Sequence, residues 1–297
     1  LLITIAQLGF PIAISKLIAE EKNNNKNIIF SIIPISIIIN IFIILFLLFF
    51  GTFISNNLLH EPRTYYGIIC MGFVLPFISI SSIIRGYYFG KERMFPHVIS
   101  NVCEDIIRLI VLIVGIPIFL IKGIEIAIAF IILSNIVSEL TSIVILTLFL
   151  PKNVKIKKED FIPKKNNIKN IFSISIPTTI GRLIGNIGYF FEPIILTSVL
   201  LRCGYSSNYI VYEYGIISGF VLPLLLLPSF FTMAISQALI PVISKSYSNN
   251  NITYTRKKIK QAILLSLAIG IPITIFFELF PGFCLNFLYN TTEGITY

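Results

Sequence analysis

The sequence predicts an all-α polytopic membrane protein that crosses the bilayer about eight times. Three observations carry that prediction. Only 12% of the 297 residues are charged, 56% are apolar and the mean hydropathy is +0.90, whereas a soluble domain carries about 25% charged residues. Ile28 to Phe50, Thr64 to Ile84 and Tyr214 to Ser244 contain no Lys, Arg, Asp or Glu, and each run is long enough to span a hydrocarbon core. The basic residues, finally, are concentrated in every second loop, the asymmetry that orients membrane helices.

Apolar runs set against loops place spans near residues 1 to 18, 28 to 50, 64 to 84, 97 to 121, 125 to 150, 171 to 200, 212 to 243 and 261 to 289. The loops near 19–27, 85–96, 151–170 and 244–260, with the span ends beside them, hold 18 of the 23 Lys and Arg residues. Only Arg63, Arg108, Lys122, Arg182 and Arg202 lie elsewhere. The rich side is expected to face the cytoplasm. A net charge of +9 distributed in this way points to anionic membrane lipids as partners and away from nucleic acid.

Leu1 opens inside an apolar stretch and Tyr297 closely follows another, so the chain reads as an internal fragment. Residues 1–150 are expected to be the remainder of an N-terminal helical lobe with about five spans, 151–170 a basic cytoplasmic linker, and 171–297 the start of a C-terminal lobe with about three. Phe10-Pro11-Ile12-Ala13-Ile14-Ser15-Lys16 resembles Phe231-Thr232-Met233-Ala234-Ile235-Ser236-Gln237, six spans later. An even offset preserves orientation in the membrane, so the repeat would be parallel, related by an axis along the membrane normal.

Charges inside spans are the candidates for function, because a charge in the bilayer costs several kcal/mol and turns towards protein or a wet cavity. Ser100, Glu104 and Arg108 recur every four residues, which stacks them on one helix face and lets Glu104 pair with Arg108. That face reads either as part of a cavity or as an interfacial salt bridge. Arg182 lies 12 residues past Asn170, about 18 Å into its span at 1.5 Å per residue. From that depth it cannot readily reach the headgroups. A guanidinium there suits a phosphate, which it binds through two parallel hydrogen bonds; the competing reading is an ion pair with Glu139, Glu192 or another buried carboxylate. Gly181, Gly185 and Gly188 keep the same helix thin. Glu192 lies near the outer end of that span. Glu139 and Glu278, inside other spans, are candidate coupling carboxylates or satisfied structural ones.

Enzyme signatures are missing: the sequence has no H-E-x-x-H, no G-x-x-x-x-G-K-[ST] and no G-x-S-x-G. With two histidines and four cysteines scattered singly, neither a metal site nor a disulfide framework is expected. No cofactor is implied, and the chain is not expected to be an enzyme.

Four stretches together resemble the polysaccharide and lipid-linked oligosaccharide branch of the multidrug/oligosaccharidyl-lipid/polysaccharide flippase superfamily. They are Gly9 to Leu17, Arg85 to Arg108, Ser175-Ile176-Pro177 through Arg182 to Glu192-Pro193, and Leu227-Pro228-Ser229 through Ala234-Ile235-Ser236 to Lys245. The resemblance implies a two-lobe, parallel-repeat, MATE-like transporter fold alternating between inward and outward openings. Its implied substrate is an undecaprenyl-pyrophosphate-linked saccharide, such as a peptidoglycan precursor for the spore cortex. It also implies that basic residues of a central cavity hold the pyrophosphate, which nominates Arg182, with Arg108, Glu104, Ser100 and Glu192 as further cavity candidates. Cell-wall synthesis proteins are possible partners. Two other functions stay open: a cation-coupled multidrug antiporter, whose cavity would be dominated by acidic residues, and a non-transporting membrane scaffold for wall synthesis.

Overall fold

The computed structural model describes residues 1–20, 25–150, 165–248, 251–291 and 293–294. Eleven α-helices occupy the described residues: α1 (Leu2–Gln7), α2 (Phe10–Glu20), α3 (Asn25–Phe53), α4 (Tyr65–Gly90), α5 (Met94–Leu120), α6 (Ile124–Leu148), α7 (Lys165–Arg202), α8 (Ser207–Ile216), α9 (Leu222–Ser248), α10 (Ile252–Leu279) and α11 (Pro281–Tyr289). The chain is an all-α polytopic membrane protein. Its backbone polar groups are satisfied within helices, as hydrocarbon surroundings require.

Among the described residues, seven stretches are long and apolar enough to cross a membrane: Leu2–Ala19, Ile28–Leu58, Pro62–Gly90, Ile124–Leu148, Ile168–Arg202, Ser207–Ile235 and Ile252–Leu279. The expected eighth, α5, has the length at 27 residues but carries Glu104, Asp105 and Arg108 in its middle. Those charges break its apolar run. The opposite side of α5 still exposes Leu109, Ile110, Ile113 and Val114, a surface that only lipid or another helix satisfies. Phe49 on α3 is 81% exposed and Leu148 on α6 is 72% exposed; shielding a side chain of that size from water is worth about 1.5–3 kcal/mol.

The chain divides into two compact units, Leu1–Val199 and Leu200–Tyr297. In the first, α4 is central and packs on α1, α2, α3, α5 and α6, while α5 and α6 lie along each other. Gly86 and Gly90 let α4 and α2 touch backbone to backbone: a Cβ at Gly86 would stand 2.8 Å from the Pro11 carbonyl oxygen, and one at Gly90 2.7 Å from that of Ser15. Small residues four apart permit this close approach in membranes. Phe10, Ala13, Ile14, Ile28, Ile32, Ile83 and Ile171 fill the core around it.

The first span is not continuous. Leu8 (φ 43°) and Gly9 (φ 61°) both take the left-handed conformation, which ends α1 and re-aims the chain into α2. Gly9 also lies against α7, where an added Cβ would meet Thr178 Oγ1 at 2.4 Å and the Ser175 carbonyl oxygen at 2.8 Å. Gly9→Ala is therefore expected to lower stability by about 1–3 kcal/mol from backbone strain, with the clash adding to it. A fall in the thermal unfolding midpoint in detergent, absent in Gly181→Ala where the space is open, checks this.

Two further boundaries differ from the sequence expectation. Arg85 belongs to α4, which runs on to Gly90 and leaves only Lys91–Arg93 as a connection. The last span starts earlier and ends sooner than 261–289. Asn251 caps α10 by accepting the Tyr254 N–H through its side chain at 3.2 Å, and Pro281 opens the separate helix α11, where a missing N–H costs nothing. In the second unit α8 passes through a turn of π-helix, Ile217–Val221, into α9; α9 packs on α10, with Leu224, Cys284 and Leu285 buried together.

Candidate functional site

Two of the polar groups among the apolar helices of the first unit contain arginines, besides the uncharged group in which Asn40 Nδ2 donates to Ser79 Oγ at 3.0 Å. One joins α4, α5 and α6. Arg85 Nη2 donates to Glu104 Oε2 at 2.5 Å and to Ser142 Oγ at 2.8 Å, and stands 3.7 Å from Glu139 Oε2. Arg108 Nη2 donates to Glu104 Oε1 at 2.6 Å, and Arg108 Nη1 reaches Asp105 Oδ1 at 3.3 Å. Ser81 Oγ is 2.6 Å from Glu139 Oε2. Glu104 and Glu139 are each 6% exposed; carboxylates so buried persist only when paired or neutral.

The expected pairing of Glu104 with Arg108 is present, at the four-residue spacing that brings it about. Ser100 is fully buried on the same helix, but its hydroxyl donates to the His97 carbonyl at 2.8 Å. It is satisfied by its own backbone and stays outside the ion-pair network. Glu139 joins the network through Ser81. Arg85, which the sequence reading leaves in a loop, is its hub.

The second group lies between α1 and α7. Arg182 is exposed, and its Nη2 is 3.5 Å from Gln7 Oε1. One turn on, Asn186 Nδ2 donates to Thr4 Oγ1 at 3.0 Å. Among the described residues neither Arg182 nor Glu192, which is also exposed on α7, forms an ion pair. Open space surrounds Gly181, Gly185 and Gly188, so the face of α7 beside Arg182 is uncovered. Arg182 lies 14 residues into the span that begins at Ile168, about 21 Å at 1.5 Å per residue. Depth, an available guanidinium and an uncovered backbone thus occur together on α7.

In the second unit Glu278 lines a cavity of about 340 Å³ with Thr274, Phe277, Leu224 and Leu285. Apart from Thr274 its walls are otherwise apolar, so Glu278 is the charged side chain of that cavity.

A family model for polysaccharide biosynthesis proteins matches residues 1–247. The chain belongs to the polysaccharide biosynthesis protein family. Three relatives, all from Bacillus subtilis (strain 168), show its range. Stage V sporulation protein B is 36% identical over 278 residues, covering 90% of this chain and 54% of the relative. The sporulation protein YkvU is 26% identical over 301 residues, 100% of this chain and 67% of the relative. The lipid II flippase MurJ is 22% identical over 330 residues, 98% of this chain and 58% of the relative. The chain thus spans about half to two thirds of the length of these curated relatives. No solved structure matches. The family match extends over both arginine-containing groups of the first unit, so Arg85, Glu104, Arg108, Glu139 and Arg182 all lie within it.

Proposed function

We propose that this polysaccharide biosynthesis protein works as an alternating-access flippase. Its substrate would be an undecaprenyl-pyrophosphate-linked saccharide, such as the peptidoglycan precursor of the spore cortex, carried from the inner to the outer leaflet. The observation that carries this reading is Arg182: a guanidinium near the middle of a spanning helix, held by one long hydrogen bond to Gln7 and by no carboxylate among the described residues. A cation at that depth without a counter-charge is costly unless an anion arrives to use it. A diphosphate is such an anion, and it accepts two parallel hydrogen bonds from arginine. The match to a lipid II flippase over 98% of the chain supports the same substrate class.

In this scheme the headgroup enters beside α7 while the lipid tail stays in the bilayer. The basic stretches near 19–27, 85–96, 151–170 and 244–260 face the cytoplasm, where their cations outside the α4–α5–α6 network meet anionic lipids, and two helical lobes rock against each other; the expected linker at 151–170 lies largely outside the described residues, and its end already belongs to α7. The test is lipid II exposure at the outer leaflet of cells depleted of their own flippase. Expression of the full-length protein that contains this chain restores exposure, and Arg182→Ala at equal membrane abundance loses it. If the wild type restores nothing, the substrate assignment fails.

A further inference from the structure

No Arg85 hydrogen is directed at Glu139, and the buried Arg85 Nε–H has no acceptor at all among the described residues. Arg85 Nη2 carries two hydrogens, and both have short-range acceptors: Glu104 Oε2 at 2.5 Å and Ser142 Oγ at 2.8 Å. Glu139 Oε2, at 3.7 Å, receives neither. The hydrogen bond left to Glu139 is the 2.6 Å contact with Ser81 Oγ. Ser81 in turn has a single hydroxyl hydrogen, and the carbonyl of Ile78, one turn back on α4, lies 3.0 Å from the same oxygen. A helical serine commonly bonds back to such a carbonyl. When it does, the proton between Ser81 and Glu139 has to belong to Glu139.

We propose that Glu139 is a proton-binding site: it carries a proton while Arg85 is committed to Glu104, and releases it when Arg85 moves onto it. This deepens the flippase reading, on which it rests, by naming the proton as the coupling ion. On release the proton passes from the Glu139 carboxyl to water. The Ser81 hydroxyl then turns from the Ile78 carbonyl to the carboxylate, and Arg85 closes the gap to Glu139 at the expense of Glu104. Because Ser81 and Arg85 are on α4, Glu104 on α5 and Glu139 and Ser142 on α6, the exchange changes how three packed helices hold one another. That is the property a coupling site needs: occupancy by the ion biases two arrangements of the helices.

The charged and titratable groups around Glu139 are few. From α4 it meets Arg85, and Tyr88 lies further along the same seam, with its hydroxyl donating to the Leu146 carbonyl at 2.7 Å. From α5 it meets Glu104 and Arg108; Asp105 faces Arg108 from the exposed side, and the His97 ring packs on Phe89, 4.7 Å between centroids. Arg63, in the short turn Pro62–Thr64 that also packs on α6, lies near Glu125 at the start of that helix. Among the described residues, the carboxylate that shares an arginine with Glu139 is Glu104, already bonded to two guanidinium groups.

The experiment is infrared difference spectroscopy on the full-length protein in lipid vesicles without substrate, titrated across pH. The carbonyl stretch of a buried, protonated carboxylic acid is expected at neutral pH, lost in Glu139→Gln and weakened in Glu104→Gln, which frees Arg85 to move onto Glu139. No such band at neutral pH, or a band that survives Glu139→Gln, overturns the proposal. Should Glu139→Gln not accumulate, Ser81→Ala replaces it. Removing the hydroxyl shifts the band if Glu139 donates to it, and an unmoved band overturns the proposal. In the same vesicles, lipid II flipping by the wild type responds to an imposed pH gradient, and flipping by Glu139→Gln does not. The two readings fail separately: the carboxyl band is read without lipid II, whereas the flippase reading fails when the wild type flips none.

Discussion

Arg85→Gln is expected to lower the stability of the α4–α5–α6 bundle by about 3–5 kcal/mol, the usual cost of removing one partner from a buried ion pair. Glu104 is 6% exposed and holds Arg85 at 2.5 Å. With the guanidinium gone, Arg108 alone compensates it, from a position 33% exposed. The variant should show reduced membrane abundance and an earlier thermal transition in detergent. Double-mutant cycles identify which carboxylate the arginine serves. Coupling between Arg85→Gln and Glu104→Gln should reach about 1–3 kcal/mol, as for groups in direct contact. Coupling between Arg85→Gln and Glu139→Gln should stay near zero, because Arg85 directs no hydrogen at Glu139 in this arrangement. Equal coupling to both would mean that Glu139 is ionised and shares the arginine.

The physical reasons for what the sequence disclosed are specific to each element. Charge-free runs of twenty residues or more leave the backbone no solvent but lipid, so the polytopic α-helical class was legible from composition alone. Glu104 and Arg108 were legible as a pair because four residues is one helical turn. Arg85 was not. The apolar run before it ends at Ile84, and a cation after an apolar run ordinarily marks the membrane surface. Two signals argue otherwise: Ser81, Arg85 and Tyr88 fall at helical spacing on one face, and Gly86 and Gly90 repeat every four residues like a helix–helix contact. That Arg85 meets Glu104 and approaches Glu139, 19 and 54 positions away, depends on how α4, α5 and α6 pack, which no local spacing encodes. The same limit applies at the ends of spans. Hydropathy locates where charges stop, whereas α10 begins at its Asn251 cap and carries Arg256, Lys257, Lys258 and Lys260 within the helix. Leu8 leaves helical geometry although leucine favours helices, because Gly9 beside it seats against Ser175 and Thr178 of α7. Tertiary contact overrides propensity there.

At Arg182 the expected result is loss of lipid II exposure in proportion to how far the guanidinium is removed or neutralised. A charge-assisted hydrogen bond is worth about 1.5–3 kcal/mol, so Arg182→Ala should weaken headgroup binding by about 10- to 100-fold. Arg182→Glu should abolish it, since a carboxylate repels the diphosphate. Arg182→Lys keeps the charge but loses the planar two-pronged donor, and an intermediate effect is expected. The more discriminating variant is on α1. Gln7 Oε1 lies 3.5 Å from Arg182 Nη2, a contact long enough to leave the guanidinium available. Gln7→Glu places a carboxylate at that point and converts the loose hydrogen bond into an ion pair. The fold should survive, because the new pair neutralises a cation already present and the adjacent Asn186–Thr4 bond is untouched. Flipping should nevertheless fall about as far as in Arg182→Ala, while Gln7→Leu, which removes only the weak bond, should change it little. Equal activity for Gln7→Glu and the wild type would show that Arg182 is not an anion contact, because a guanidinium paired with a neighbouring carboxylate cannot offer the same two hydrogens to a phosphate.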